Sequence, residues 1–317
     1  MQKTLLIYES KYGTTQKIAK HLSMVLGPAK YIKTNEFNDL YKDFDFIVIG
    51  SPVYSGKLDP MIYEFVKNNE DWLKEKPVAL FSTSLSPKDG NKNLDELGKI
   101  TGNIISKKAL GGVLKFNTLN DEDKEALNAF SEKVGFELKD MDNFNLENVL
   151  DYALELKSLK DDLISKTPPV TVKESIDEFL KSHNTCTLST SYNERVRSTP
   201  IEYNYFDGFI YVLSEGGEKF SNILINKNVS LAVYNDYTGM DKLAGMQISG
   251  EAYIVEDMDE YEKIIQMKGL NVDFIKNMPF NMNIIKIEIK KIEFLYSEFK
   301  KMGYEPRQIY NFKSAEM

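Results

Sequence analysis

Cysteine, histidine, arginine and tryptophan are all scarce in this chain of 317 residues, and each scarcity narrows the chemistry. The single cysteine, Cys186, has no partner for an internal disulfide, which fits a reducing cytoplasm. Two histidines, His21 and His183, lie far apart with no further cysteine or histidine clustered near them, so no metal site of zinc type is expected. Neither histidine accompanies a nucleophile-elbow signature, and both read as helix-surface or cap residues. No catalytic acid, base or nucleophile can be named. Long apolar runs are also missing: none approaches the ~20 residues that cross a bilayer. The N-terminus lacks the pattern of a signal peptide. A net charge of −8 argues against a general nucleic-acid binder. Neither a G-x-G-x-x-G fingerprint nor a Walker lysine occurs, so NAD and ATP are poor candidates.

What is present changes character part-way along the chain. The first half alternates apolar strand runs with helical patterns. Strands are expected at Thr4–Tyr8, Phe44–Gly50, Val78–Thr83 and Ala109–Phe116, with a weaker one at Lys30–Thr34. Helices are expected at Thr14–Leu26, Pro60–Lys67, Asp121–Val134 and Asn145–Leu163. Such alternation implies an α/β doubly wound parallel sheet. Pro168 and Pro169 then interrupt the helical rhythm. Beyond them one helix, near Val172–His183, precedes short strands rich in β-branched and aromatic residues, with turns at "SYNE" and "FDG". That half reads as a mainly antiparallel barrel. The expected division is residues 1–163, a linker at 164–171, and a second domain at 172–317.

The stretch "ESKYGTT" joins the first strand to the first helix. Its hydroxyls and Gly13, set before unpartnered helix N–H groups, suit a phosphate without needing a cation. An ordinary helix cap made by Thr14 or Thr15 is the plainer alternative. Two further loops, "GSPVYSG" and "FSTSLSP", follow buried strands, at the edge where open α/β sheets bind ligands.

These loops resemble those of flavodoxin-like domains, in particular the branch that includes menaquinone-linked protoporphyrinogen dehydrogenase, over residues 1 to about 163. The resemblance implies strand order 2-1-3-4-5 and FMN. Ser10, Tyr12, Gly13, Thr14 and Thr15 would hold its phosphate. Pro52, Val53, Tyr54, Ser55 and Gly56 would contact the isoalloxazine, with Tyr54 stacking on it, and Ser82, Thr83, Ser84 and Leu85 would form a third wall. Tyr12 departs from the hydroxyl pattern of the family, and Trp72 lies beyond the second loop.

All three arginines, Arg195, Arg197 and Arg307, fall in the second half. Arg195 and Arg197 are two apart, so on a strand they share a face, either as a phosphate fork or as solvated edge charges. The segment "RVRSTPIEYNYFDGFIYVLSEGGEKFSN" resembles the pyridoxamine-phosphate-oxidase-like FMN-binding split barrel, over residues 170 to about 312. The resemblance implies phosphate contacts from Arg197, Ser198, Thr199, Ser214, Lys219 and Asn222, a flavin-facing Gln247, and a homodimer formed through the barrel. Some members hold haem or deazaflavin instead. The whole chain therefore reads as an FMN-dependent oxidoreductase or electron-transfer flavoprotein, with one or two FMN per chain and a redox donor and acceptor that the residues do not name. The alternative is a ligand-binding or storage protein whose barrel holds haem or another non-FMN cofactor. Arg307 alone remains of the basic C-terminal motif of true pyridoxamine-phosphate oxidases, which argues against vitamin B6 oxidation.

Overall fold

The computed structural model describes residues 2–134 and 139–312, and the chain divides into two compact units, Met1–Ile164 and Ser165–Met317. Within the first, β1 (Thr4–Tyr8), α1 (Thr14–Val25), β2 (Ala29–Lys33) and β3 (Phe46–Tyr54) come first. After them run β4 (Lys57–Leu58), α2 (Pro60–Asn68), α3 (Glu70–Lys74), β5 (Val78–Ser84), α4 (Pro87–Thr101) and β6 (Ile104–Gly111). The unit closes with β7 (Val113–Leu114), α5 (Asp121–Val134), β8 (Met141–Asp142) and α6 (Leu146–Asp162). The main sheet is parallel, in the order β2-β1-β3-β5-β6, with the short β4 folded back antiparallel on β3. Setting β4 aside, this is the order the resemblance implies.

Alternation along the buried strands divides the apolar residues between two cores. Leu6 and Tyr8 face Ile18, Leu22, Tyr152 and Leu156, whereas Leu5 and Ile7 face Ile62, Val66, Leu94 and Leu97. Gly50 is required between them, because a Cβ there would lie 2.1 Å from the Phe81 ring.

The sequence expectation for this half omits the one-turn helix α3 and fails more seriously at two further places. The fifth parallel strand is Ile104–Gly111, not Ala109–Phe116, and the helix Pro87–Thr101 was not expected. Each error has its own physical cause. As the sheet's edge strand, β6 carries Ser106, Lys107 and Lys108 in its middle, so it reads as polar although charge is what protects an edge. Helix α4 buries Leu94 and Leu97 but also contains Gly90 and Gly98, and it is polar on the whole, with few apolar residues to mark it as a helix.

The second unit opens with α7 (Pro169–Ser182), whose first position is Pro169, where a missing N–H costs nothing. Strands β9 (Thr185–Tyr192), β10 (Arg195–Glu202), β11 (Asn204–Phe206) and β12 (Phe209–Ser214) follow, then α8 (Glu218–Ile223). Next come β13 (Asn228–Tyr234), β14 (Ala244–Ile254), α9 (Met258–Met267) and α10 (Val272–Lys276). The long β15 (Asn283–Tyr296), α11 (Ser297–Lys301) and β16 (Arg307–Asn311) complete it. The antiparallel sheet runs β10-β9-β13-β14-β15-β12-β11, with β16 on β15, and curls as a split barrel. The "SYNE" and "FDG" turns are the expected hairpins: Asn193 and Asp207 take φ near +50°. Strand β15, which lies between β14 and β12, runs for 14 residues and so departs from the short strands expected of this half. Cys186 is buried in this core, and burial pushes its thiol up to about 12, so it is chemically inert in the folded chain. No helix among the described residues is long and apolar enough to cross a membrane.

Candidate functional site

The loop after β1 is set by one backbone angle. Gly13 has φ +90°, a left-handed conformation, and its N–H donates to Ser10 Oγ at 3.0 Å. Helix α1 begins directly afterwards, with Gly13 as its N-cap, no side-chain cap and no acid in its first turn. The plain capping role for Thr14 or Thr15 is thereby overturned. Thr15 instead hydrogen-bonds Thr83 through their hydroxyls at 2.7 Å, joining the first loop to the third. The positive end of a twelve-residue helix is left for something else.

That end opens onto a cavity of about 710 Å³. Of the fourteen residues proposed for this site, all line it except Gly13, which shapes the backbone, and Ser82, which is fully buried with an unpartnered hydroxyl. Tyr54 stands at the tip of the β3–β4 hairpin, whose turn residues Ser55 and Gly56 have positive φ. Burial pushes its phenol up to about 12. Its oxygen accepts from the Lys11 N–H at 3.4 Å, and its ring meets Tyr12 edge-on at 6.1 Å. The third loop is held by Gly112 N–H donating to Ser84 O at 2.8 Å and by Asn143 Nδ2 donating to Leu85 O at 3.0 Å.

A fourth wall was not foreseen. Val113, Leu114, Leu119, Ala126, Leu127 and Met141 come from the segment between β6 and α6 and make this side aliphatic. Asp123, from the same segment, is the one charged group among the described lining residues. In sequence this region reads as an ordinary amphipathic helix, and nothing distinguishes a wall from a core.

The barrel gathers its proposed residues less completely. Alternation puts Arg195, Arg197 and Thr199 on one face of β10 with the core residue Ile201, and Ser198 on the other, 3.1 Å from Ser189. Across from Arg197 lies Thr190, whose hydroxyl accepts from Asn222 Nδ2 at 3.0 Å. Lys219 is buried beside them and donates to Gly216 O, and Ser214 Oγ accepts from Gly216 N–H at 3.3 Å. Burial holds the Lys219 ammonium below its ordinary value; Glu215 opposes this and Arg197 adds to it. Arg197 itself pairs with Glu218 at 2.7 Å. Thr199 keeps a buried hydroxyl without a partner. Gln247 does not join this cradle. It is exposed on β14, three strands from β10, in a separate hollow of about 380 Å³ with Tyr234, Tyr237 and Arg307, and Arg307 pairs with Glu293.

Family models match both halves of the chain. A family model described as a flavodoxin domain matches residues 5–131, and one described as pyridoxamine 5'-phosphate oxidase matches residues 172–296. The chain joins a flavodoxin domain to a pyridoxamine 5'-phosphate oxidase-like domain. No curated protein matches it. Among solved structures, General Stress Protein 26 from Bacillus anthracis is 22% identical at a TM-score of 0.34, covering 44% of this chain and 98% of its own. An FAD-binding protein from Mesorhizobium loti is 16% identical at a TM-score of 0.30, covering 38% of this chain and 90% of its own. A NimC/NimA family protein from Clostridium acetobutylicum is 17% identical at 0.33, covering 44% and 92%.

At the family level the two domains are of flavin-binding oxidoreductase and electron-transfer type. The flavodoxin domain supplies hydroxyls, helix amides and one aromatic face; the oxidase-like domain supplies cations. No group of three or more histidine, cysteine or acidic side chains able to hold a metal occurs among the described residues. Of the histidines, His21 leaves Nδ1 buried without a partner. His183 commits both ring nitrogens, one within 2.8 Å of Phe179 O and the other within 2.7 Å of Asn235 Oδ1.

Proposed function

We propose that this chain is an FMN-dependent oxidoreductase or electron-transfer flavoprotein, with FMN held in the flavodoxin domain. The observation that carries this reading is the uncapped N-terminus of α1, ringed by Ser10, Thr14 and Thr15 at the cavity lined by Tyr54. That donor set fits a phosphate monoester joined to a flat, weakly polar ring system. The amides and hydroxyls would bind and orient the phosphate, and the helix dipole would favour its charge. Tyr54, Pro52, Val53 and Leu85 would border the ring, and the aliphatic fourth wall would exclude water from it. When bound, the flavin supplies the electron or hydride transfer. No side chain of the chain is assigned a proton.

The oxidase-like domain is the proposed second flavin site and the proposed seat of a homodimer. Its cradle of Arg197, Thr190, Lys219 and Asn222 suits a phosphate, yet the Arg197–Glu218 pair removes part of the available charge. That pair favours the alternative in which the barrel holds a ligand other than FMN. Haem ligated by His183 is the weakest form of it, since both of that ring's nitrogens are already engaged.

The deciding measurement is flavin released per chain on denaturing protein saturated with FMN. Two equivalents are expected if both domains bind it, and Lys219→Met then lowers the count to one. One equivalent, unchanged by Lys219→Met, assigns the flavin to the flavodoxin domain alone and the barrel to another ligand. No flavin, with no spectral change on FMN titration, overturns the reading.

A further inference from the structure

Tyr12 departs from the loop's hydroxyl pattern, and the structure gives its side chain another use. Its hydroxyl donates to the Asp123 carboxylate, 111 residues further along the chain, and accepts from the Asn120 N–H at 3.3 Å. Lys11 Nζ reaches the same carboxylate at 2.6 Å. Asn120 in turn accepts from the Asp123 N–H at 2.9 Å, which fixes the acid on the first turn of α5. From that turn Ala126 and Leu127 continue into the cavity wall. Lys11 and Tyr12 also contact Tyr54, so three separate segments meet at this one point.

Asp123 is charged in this arrangement. Burial pushes its carboxyl up, but the hydrogen bonds from Lys11 and Tyr12 outweigh that and hold it below the usual range. A tyrosine hydroxyl given to a carboxylate is not offered to a phosphate oxygen. An ionised acid at the same spot repels a second anion, and Lys11 is occupied in neutralising it. Phosphate binding by Tyr12 therefore conflicts with the bonding observed, while retention of the fourth wall agrees with it.

We infer that Tyr12 is a positioning residue: with Lys11 it clasps the segment Asn120–Leu127 to the phosphate loop and so governs the escape of a bound flavin. The clasp itself stands on the contacts; its effect on escape rests on the flavin reading of the cavity.

The test uses the full chain with Tyr12→Phe, Asp123→Asn and the double variant. In flavin-free protein, hydrogen exchange of amides 120–127 is expected to quicken about tenfold in each single variant, the effect of one lost hydrogen bond to a charged group. The double variant should fall short of the sum of the two, because the Tyr12–Asp123 hydrogen bond is common to both changes, while Asp123→Asn also weakens the pair with Lys11. FMN and riboflavin, which lacks the phosphate, should then dissociate from Tyr12→Phe faster by the same factor. Unchanged exchange in both single variants, or fully additive effects, overturns the clasp. A loss confined to FMN overturns it in favour of a phosphate ligand. If wild type binds no flavin while exchange still responds, the clasp stands and the flavin reading falls.

Discussion

Gly13→Val is expected to leave the flavodoxin domain folded and unable to retain FMN. Space is not the reason, since a Cβ at this position meets nothing within 4 Å. The cost is torsional. At φ +90° a side chain is strained by roughly 1–2 kcal/mol, and a β-branched one by more. The loop relieves that strain by turning the peptide before α1. Turning it breaks the Gly13 N–H bond to Ser10 Oγ and swings the first helix amides away from the cavity. The residues of the parallel sheet are not involved, so the damage falls on binding. FMN affinity should drop at least ~30-fold, on the scale of tenfold per 1.4 kcal/mol. Melting should shift by only a few degrees. Fluorescence titration of flavin-free protein measures the first and calorimetry the second; wild-type affinity in the variant would remove the loop from the site.

The largest stability effect is expected at Gly111, where β6 hands over to the fourth wall. A Cβ there would sit 1.7 Å from the Asn143 carbonyl oxygen, and a backbone oxygen has no rotamer by which to retreat. Gly111→Ala must therefore part β6 from the segment carrying Asn143, whose side chain also holds Leu85 O at 3.0 Å. Overpacking of this kind costs about 3 kcal/mol. For a domain of this size that is a fall of roughly 6–12 °C in melting temperature. Because the third loop is anchored through Asn143, flavin affinity should weaken in the same variant. A melting temperature within about 2 °C of wild type would show that the two segments are not packed as described. At Gly90 a Cβ would lie 2.5 Å from the Ser82 hydroxyl, which can rotate, and 2.9 Å from Ala109 Cβ, which cannot.

Legibility in the sequence followed physical visibility. Buried parallel strands such as Leu5–Ile7 and Phe46–Ile49 are apolar runs with no other reading. The three loops at their ends announced themselves through glycine, serine and threonine, which is why nearly all of the first site lines one cavity. Strand β6 was misplaced because its protective lysines hide its apolar face, and α4 was missed because it is polar on the whole and carries the helix-weakening glycines Gly90 and Gly98. The fourth wall was invisible for a different reason. Leu119, Leu127 and Met141 are apolar residues in an apolar context, and only tertiary structure tells a cavity wall from a core. In the barrel, the sequence placed Arg197 and Lys219 near one another, while Gln247 could not be assigned to either hollow without the strand order.

The two domains meet anions by unlike means, and ionic strength separates them. At α1 the attraction comes from helix amides and hydroxyls with no free cation in the loop, since Lys11 is tied to Asp123. Hydrogen bonds from such donors are less sensitive to dissolved ions than bare charges are, although the dipole part of the attraction is screened. At the barrel cradle the proposed attraction rests on Lys219 and on Arg197, which Glu218 partly neutralises, and charges of this kind reach only about 10 Å at 0.1 M salt. If both domains hold a phosphorylated ligand as proposed, raising salt is expected to weaken binding at the barrel more than at the flavodoxin domain, and flavin retained per chain at rising ionic strength measures the difference.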